Sequence, residues 1–225
     1  DLSLYEKQIF DSYNDFFTRK IRAEERPVNP DANALVSPSD GKISVYKIHE
    51  NGHFLIKHTE YTLEQLLQDK KLAKRYLDGH IYVIRLTVDD YHRYCYAADG
   101  RKSEQRKIAG ILHTVNPVAN DVCPIYKMNS REYCLIKTER FGTLLQMEVG
   151  ALMVGKISNN QQGLGFVHKG VEKGRFEFGG STIILLTQKN VVIPDRDLLE
   201  HTGSGMETLV KMGEQIGRSA NRLDA

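Results

Sequence analysis

Tryptophan is absent, and no apolar run approaches the roughly 18 residues that a membrane-spanning helix requires. No signal peptide is visible either. Cysteine is scarce: Cys95, Cys123 and Cys134 are odd in number and irregular in spacing, which argues against a disulfide framework and for a reducing compartment. The same scarcity leaves no Cys-x-x-Cys pair to complete a zinc site with His92, Cys95 and His113, so no metal is expected. Excess charge is lacking too. Against 31 Lys+Arg stand 29 Asp+Glu, and the basic residues are scattered except around Arg19 to Arg26, so no nucleic-acid partner is expected. Internal repeats and low-complexity linkers are missing, and 225 residues that are 40% hydrophobic suffice for a real core, expected as one domain over 1–225.

What is present is organised around Gly174-Arg175-Phe176-Glu177-Phe178-Gly179-Gly180-Ser181-Thr182-Ile183-Ile184-Leu185-Leu186. Phe176 and Phe178 alternate with polar residues, the next four residues interrupt the pattern, and an apolar run resumes it. Two strand segments with a kink between them are expected. A bulge or tight bend explains the interruption. A second reading is chemical: with no Cβ on either glycine, the Gly180 carbonyl is open to a neighbouring hydroxyl, and Ser181 supplies one.

Upstream, Leu4, Ile9, Phe10, Tyr13, Phe16, Phe17 and Ile21 recur at roughly helical spacing, which predicts an amphipathic helix ending before Pro27. Its aromatic face beside Arg19, Lys20, Arg22 and Arg26 fits packing on the body of the protein, or leaning on an anionic membrane. Asp40-Gly41 and Asn51-Gly52 predict hairpin turns. Thr62 as N-cap, with leucines from Leu63 to Leu77, predicts one further helical segment that Asp78-Gly79 ends. Tyr82 to Val88 reads as a buried strand running into the polar-aromatic cluster Asp89 to Tyr96, a natural place for a site. Short strands separated by Asn and Gly turns follow as far as Leu186, and residues 195–225 add a short helix and a β segment. The expected fold is α+β, a β-rich antiparallel sandwich or barrel, with no doubly wound alternation.

Three features stand in one order: Ser37-Pro38-Ser39-Asp40-Gly41, Asp90-Tyr91-His92-Arg93 and Phe178-Gly179-Gly180-Ser181-Thr182. With Phe16-Phe17-Thr18-Arg19, Val115-Asn116-Pro117 and Glu148-Val149-Gly150-Ala151 followed by Val154-Gly155, they resemble the phosphatidylserine decarboxylase family from about residue 13 onward. The resemblance implies a proenzyme that cuts itself between Gly180 and Ser181, leaving residues 1–180 and 181–225 held together by strand pairing. It also implies a cofactor made from the chain itself. Ser181 Oγ attacks the Gly180 carbonyl to give an ester, elimination gives dehydroalanine, and hydrolysis yields a pyruvoyl group and ammonia. The pyruvoyl carbonyl then takes the amine of phosphatidylserine and withdraws the electrons released as CO2 departs. His92 is the candidate acid that reprotonates the α-carbon before phosphatidylethanolamine leaves. The implied partners are phosphatidylserine in the membrane, reached peripherally from the cytoplasmic face, and the two chains of one precursor; a homo-oligomer is left open.

An unassisted hydroxyl is a poor nucleophile, so a base must take the Ser181 proton. By analogy with a Ser/His/Asp arrangement, Asp40 would orient a histidine for that task. Many family members carry His-x-x-His at this place and assign self-cleavage to the second histidine, where this chain has Cys95. A thiol of pKa roughly 8.5 is a weaker base than imidazole. The role falls to His92 or His113, and the sequence leaves both open. His49, His53, His58, His80, His168 and His201 are read as solvated. Three other functions compete: a serine hydrolase using Asp40, His92 and Ser181, a non-catalytic lipid-binding β-rich module, and a pyruvoyl enzyme for a different amine. Against the hydrolase, Ser181 lacks the Gly-x-Ser-x-Gly elbow.

Overall fold

The computed structural model describes residues 2–6, 8–56, 59–110, 128–150, 156–177 and 181–220. Seventeen strands run through them. The first part of the chain holds β1 (Ala34–Val36), β2 (Gly41–Lys47), β3 (His53–Ile56), β4 (Thr59–Thr62), β5 (His80–Leu86), β6 (Arg93–Cys95), β7 (Gly100–Lys102), β8 (Arg106–Ile108) and β9 (Arg131–Lys137). The second part holds β10 (Thr143–Val149), β11 (Ile157–Asn159), β12 (Gly165–Val167), β13 (Glu172–Phe176), β14 (Ser181–Thr187), β15 (Val192–Pro194), β16 (Thr208–Val210) and β17 (Gln215–Ser219). Four short α-helices accompany them: α1 (Tyr13–Phe17), α2 (Leu63–Leu67), α3 (Lys70–Ala73) and α4 (Arg196–Gly203).

The main sheet is antiparallel, in the order β12-β7-β9-β10-β14-β5-β2-β16, with β8 also on β9. It stays open, so the expected α+β, β-rich fold is a sandwich and not a closed barrel. Every residue of β14 is buried, which explains why Ile183 to Leu186 read as an unbroken apolar run. Ile184 and Leu186 face one core with α2, α3 and the β3–β4 hairpin. Ile183 and Leu185 face a second core, roofed by the β11-β13-β6 sheet, the β1-β17-β15 sheet and α4. By the two-residue period of a strand, Ser181 points to this second side.

Three local expectations change. The long N-terminal helix shrinks to α1, which begins where Ser12 Oγ accepts from Asp15 N at 3.1 Å. The flanking residues are extended because they pair with each other: Glu6 N donates to Lys20 O at 2.9 Å and Arg22 N to Leu4 O at 3.0 Å, bonds that a continuous helix cannot make. The helical segment after Thr62 is broken at Gln68, whose left-handed φ of 49° ends α2 before Asp69 caps α3. His80 is not solvated; burial pushes its pKa down to about 4.

The Asp40-Gly41 turn also differs from a hairpin. β1 pairs with β17 while β2 pairs with β5 and β16, so the turn is a corner carrying the chain from one sheet to another. Gly41 sits there at φ 145°, and a Cβ on it would lie 2.7 Å from the Arg85 carbonyl oxygen. Gly41→Ala is therefore expected to cost about 2–3 kcal/mol, read as a lower urea midpoint. An unchanged midpoint would mean that the corner relaxes around the methyl group.

Candidate active site

Three strand ends meet at one rim of the main sheet. Lys42 of β2 pairs with Arg85 of β5, and Arg85 pairs with Thr182 of β14. Asp40 stands just before β2, Ser181 opens β14, and β5 ends at Leu86 ahead of the segment that carries Asp90 and His92. Antiparallel pairing thus brings three residues that are distant in sequence to the same end of adjacent strands.

Ser181 is 0% exposed, and its Oγ has no hydrogen-bond partner among the described residues. Leaving a buried hydroxyl unpaired costs roughly 1–3 kcal/mol, so an orphan of this kind calls for an explanation. Thr182 Oγ1 and Ser39 Oγ, at the same rim, are in the same condition.

His92 is 1% exposed. Its Nδ1 lies 2.8 Å from the Asp90 carbonyl oxygen, which can only accept, so in the neutral ring the proton is on Nδ1 and the lone pair on Nε2. Phe17 of α1 packs against the imidazole with ring centroids 4.1 Å apart. The backbone is held too: Phe176 N, at the end of β13, donates to His92 O at 2.9 Å. The strand that leads toward Gly180 is therefore tied directly to His92. Asp90 serves the turn, its Oδ2 accepting from Thr87 N at 2.6 Å. Arg93 joins the N-terminal segment to β13, donating to Thr18 O at 2.9 Å and to Glu172 Oε1 at 3.0 Å.

Asp40 is buried, and its partners among the described residues are Arg26 and the backbone of Met212. Arg26 Nε donates to Oδ1 at 2.7 Å, Arg26 Nη2 to Oδ2, and Met212 N to Oδ1 at 2.9 Å. Burial works against the Arg26 charge, but its hydrogen bonds to Asp40 and the carboxylate charge outweigh it, and the guanidinium pKa is raised. Cys95 is fully buried nearby, its N–H donating to Pro38 O at 2.8 Å and its Sγ 3.9 Å from Ser37 O. Burial pushes this thiol up to about 12, with Asp40 adding to the shift. A thiol so held stays protonated and is no base.

A polar layer lies inside the second core. Lys173 Nζ of β13 donates to Glu148 Oε2 of β10 at 2.6 Å and to Asn159 Oδ1 of β11 at 2.8 Å, and both ionic side chains are 0% exposed. Burial pushes the Glu148 carboxyl up, and the Lys173 ammonium opposes the shift. Glu148 pairs with Ile183 in register, so it shares a sheet face with Ser181 one diagonal step away.

Of the expected site residues, Asp40, His92 and Ser181 are brought to one rim. His113, Gly180, Cys123, Val115-Asn116-Pro117 and Ala151 to Gly155 lie outside the described residues. Arg26 and Lys173 escaped the sequence reading. Arg26 was one of a basic cluster, and nothing local marked it as the partner of Asp40.

Fold and site together define a β-rich α+β enzyme whose serine and histidine are enclosed. The chain matches the phosphatidylserine decarboxylase family over residues 13–218 and belongs to it. It is 46% identical over 219 residues to phosphatidylserine decarboxylase proenzyme 2 of Clostridium acetobutylicum, an alignment covering 97% of this chain and 75% of the relative. It is 42% identical over 225 residues to the phosphatidylserine decarboxylase proenzyme of Fusobacterium nucleatum, covering 98% and 75%. With the Clostridium perfringens proenzyme it shares 41% over 221 residues, covering 96% and 75%.

The enclosed thiols give a direct check. Alkylation of the native protein at mildly alkaline pH, mapped by mass, is expected to leave Cys95 and Cys134 unmodified, since burial also pushes Cys134 up to about 11. Both should react after denaturation. Labelling of native Cys95 would show that the thiol is reachable and ionisable.

Proposed function

We propose that this phosphatidylserine decarboxylase is made as a precursor that cuts itself between Gly180 and Ser181 and turns Ser181 into a pyruvoyl group. The observation that carries the reading is the sealed Ser181 Oγ at the first residue of β14, which has no hydrogen-bond partner among the described residues. An orphan hydroxyl next to the bond it must attack fits a residue destined for conversion. It does not fit a hydrolase nucleophile, which must be open to incoming substrate. The hydrolase and non-catalytic readings are disfavoured, the second by family membership across nearly the whole chain.

The residues present divide the work as follows. Ser181 Oγ adds to the Gly180 carbonyl carbon as the amide C–N bond breaks, giving an ester and a free amine. Loss of the Ser181 α-proton then expels the Gly180 carboxylate, and water replaces the resulting nitrogen, which leaves as ammonia. When formed, the pyruvoyl group supplies a carbonyl that binds the substrate amine and an electron sink for decarboxylation. His92 returns the proton to the α-carbon, its ring oriented by the Asp90 carbonyl and by Phe17. The base that starts the cleavage is His92 or His113. The burial that raises the Cys95 pKa supports leaving that residue out of the role.

Peripheral membrane contact belongs to the same proposal. Among the described residues no helix is long and apolar enough to cross a bilayer. Leu2, Ile9 and Tyr13 are exposed on the N-terminal segment and Val88 on the turn before His92. The same segment carries Phe17, which covers the imidazole, and Arg19 and Lys20. Apolar side chains beside cations near the site suit a lipid surface that delivers phosphatidylserine.

Intact mass decides the maturation. The two chains are expected to sum to the precursor plus one water minus one ammonia, with the smaller chain tagged by a carbonyl reagent and lacking a free amino terminus. Plain hydrolysis would instead add one whole water and leave an amine. Ser181→Ala should remain one polypeptide. His92→Ala is expected to lose at least about 100-fold in decarboxylation even in material that has been cut. Comparing the cutting of His92→Ala and His113→Ala identifies the cleavage base as the variant that stays whole.

A further inference from the structure

Asp40 was expected to face a histidine, yet its carboxylate is engaged by a guanidinium on one side and a backbone N–H on the other. Arg26 presents two nitrogens to its two oxygens, a fork-to-fork geometry that fixes both groups. The side chains are each only 10% exposed. The third donor, Met212 N, comes from the loop between β16 and β17, downstream of the proposed cut.

The same three segments are laced by backbone bonds. Gly213 N donates to Ser37 O at 2.9 Å, Ser37 N to Glu214 O at 2.7 Å, and Asn29 N to Gly213 O at 3.0 Å. Gly213 needs its φ of 90° there, and a Cβ on it would come 2.7 Å from Pro27 O. Residues 26–29, 37–40 and 212–214 thus form one knot with the Asp40 carboxylate inside it. The 37–40 turn in turn accepts the Cys95 N–H through Pro38 O, which couples the knot to β6 and the His92 segment.

We propose that Arg26 is a positioning residue for self-cleavage, acting through Asp40 to lock the turn at the rim that holds Ser181 onto the 212–214 loop, and that in this chain Asp40 is a structural anion and not the acceptor for a catalytic imidazole. The inference rests on the self-cleavage reading. Three of roughly four acceptor positions on the carboxylate are used by Arg26 and Met212. Cys95, at the sequence position where many family members carry the second histidine, sets a neutral thiol against Ser37 O at 3.9 Å, close enough to Asp40 to feel its charge. Among the described residues Tyr91, whose hydroxyl burial pushes up to about 12, also neighbours Asp40 and stays neutral, and Tyr5 lies close enough to act on Arg26.

The test is the rate and pH profile of precursor cutting, followed by denaturing gel and mass, in wild type, Arg26→Ala, Asp40→Asn, the double variant and Arg26→Lys. Arg26→Ala and Asp40→Asn are each expected to slow cutting by at least about tenfold, with the double variant no slower than either, because the two act as one unit. Arg26→Lys should recover part of the rate. The midpoint of the pH profile should be unchanged throughout. An Asp40 that faces the catalytic imidazole would instead lower that midpoint by about one unit on going to Asn, with no matching effect from Arg26→Ala, and that result overturns the proposal. So does wild-type cutting in Arg26→Ala. Arg26→Lys, together with the urea midpoint of each precursor, separates lost folding from lost positioning: slow cutting that merely follows the unfolded fraction counts against the proposal. A wild-type precursor that never cuts sinks the maturation reading itself, an outcome distinct from any of these.

Discussion

Everything at this site depends on β14 being hydrogen-bonded on both sides. Its seven residues pair with β5 from Ser181↔Leu86 to Thr187↔His80, and five of them pair with β10 on the other flank. A strand that began at a severed bond at the edge of a sheet would fray, because terminal residues have little to hold them. Placed at the centre of the sheet, with apolar side chains entering both cores, the same strand remains docked whether or not Gly180 is joined to Ser181. That placement would let the chain lose the Gly180–Ser181 bond, as proposed, without losing the position of residue 181.

The upstream side of that bond is anchored differently. β13 belongs to a three-stranded sheet, and it contributes Lys173 to an ion pair with Glu148 that is closed to water. Buried pairs of this kind offer weak net stability, since desolvating two charges consumes most of their attraction. Their strength is in specificity: a Lys173 displaced by one register step would leave two charges buried and unpaired. The pair joins β13, which leads toward the proposed cut, to β10, which pairs with β14 beyond it. It fixes one flank of the proposed cut relative to the other where apolar contacts alone would allow sliding.

Much of this was legible in the sequence, for reasons that can be stated. The unbroken apolar run after Ser181 announced a strand, and the Asp89 to Tyr96 cluster marked the end of β5 as a candidate site. Both signals are local. The hairpin expected at Asp40-Gly41 failed because turn chemistry specifies a change of direction and not which strand will be the partner. The helix expected from Leu4 to Ile21 failed because apolar spacing cannot distinguish a helix from aromatic residues that fold back to cover Tyr91 and His92. Least legible were Arg26 and Met212: their importance lies in meeting Asp40 across 14 and 172 residues of chain, and no short-range pattern encodes such a meeting.

Replacing histidine by cysteine beside an aspartate has a physical consequence beyond the loss of a base. An imidazole there could share a proton with the carboxylate and carry positive charge when needed. A buried thiol near an anion does neither; it is held neutral, and the anion must find its countercharge elsewhere. Arg26 provides it permanently, because a guanidinium does not titrate in the working range. The polar centre of this rim is thus a fixed ion pair, and under the proposed maturation proton transfer falls to an imidazole; that of His92 is oriented, among the described residues, by the Asp90 carbonyl and by Phe17.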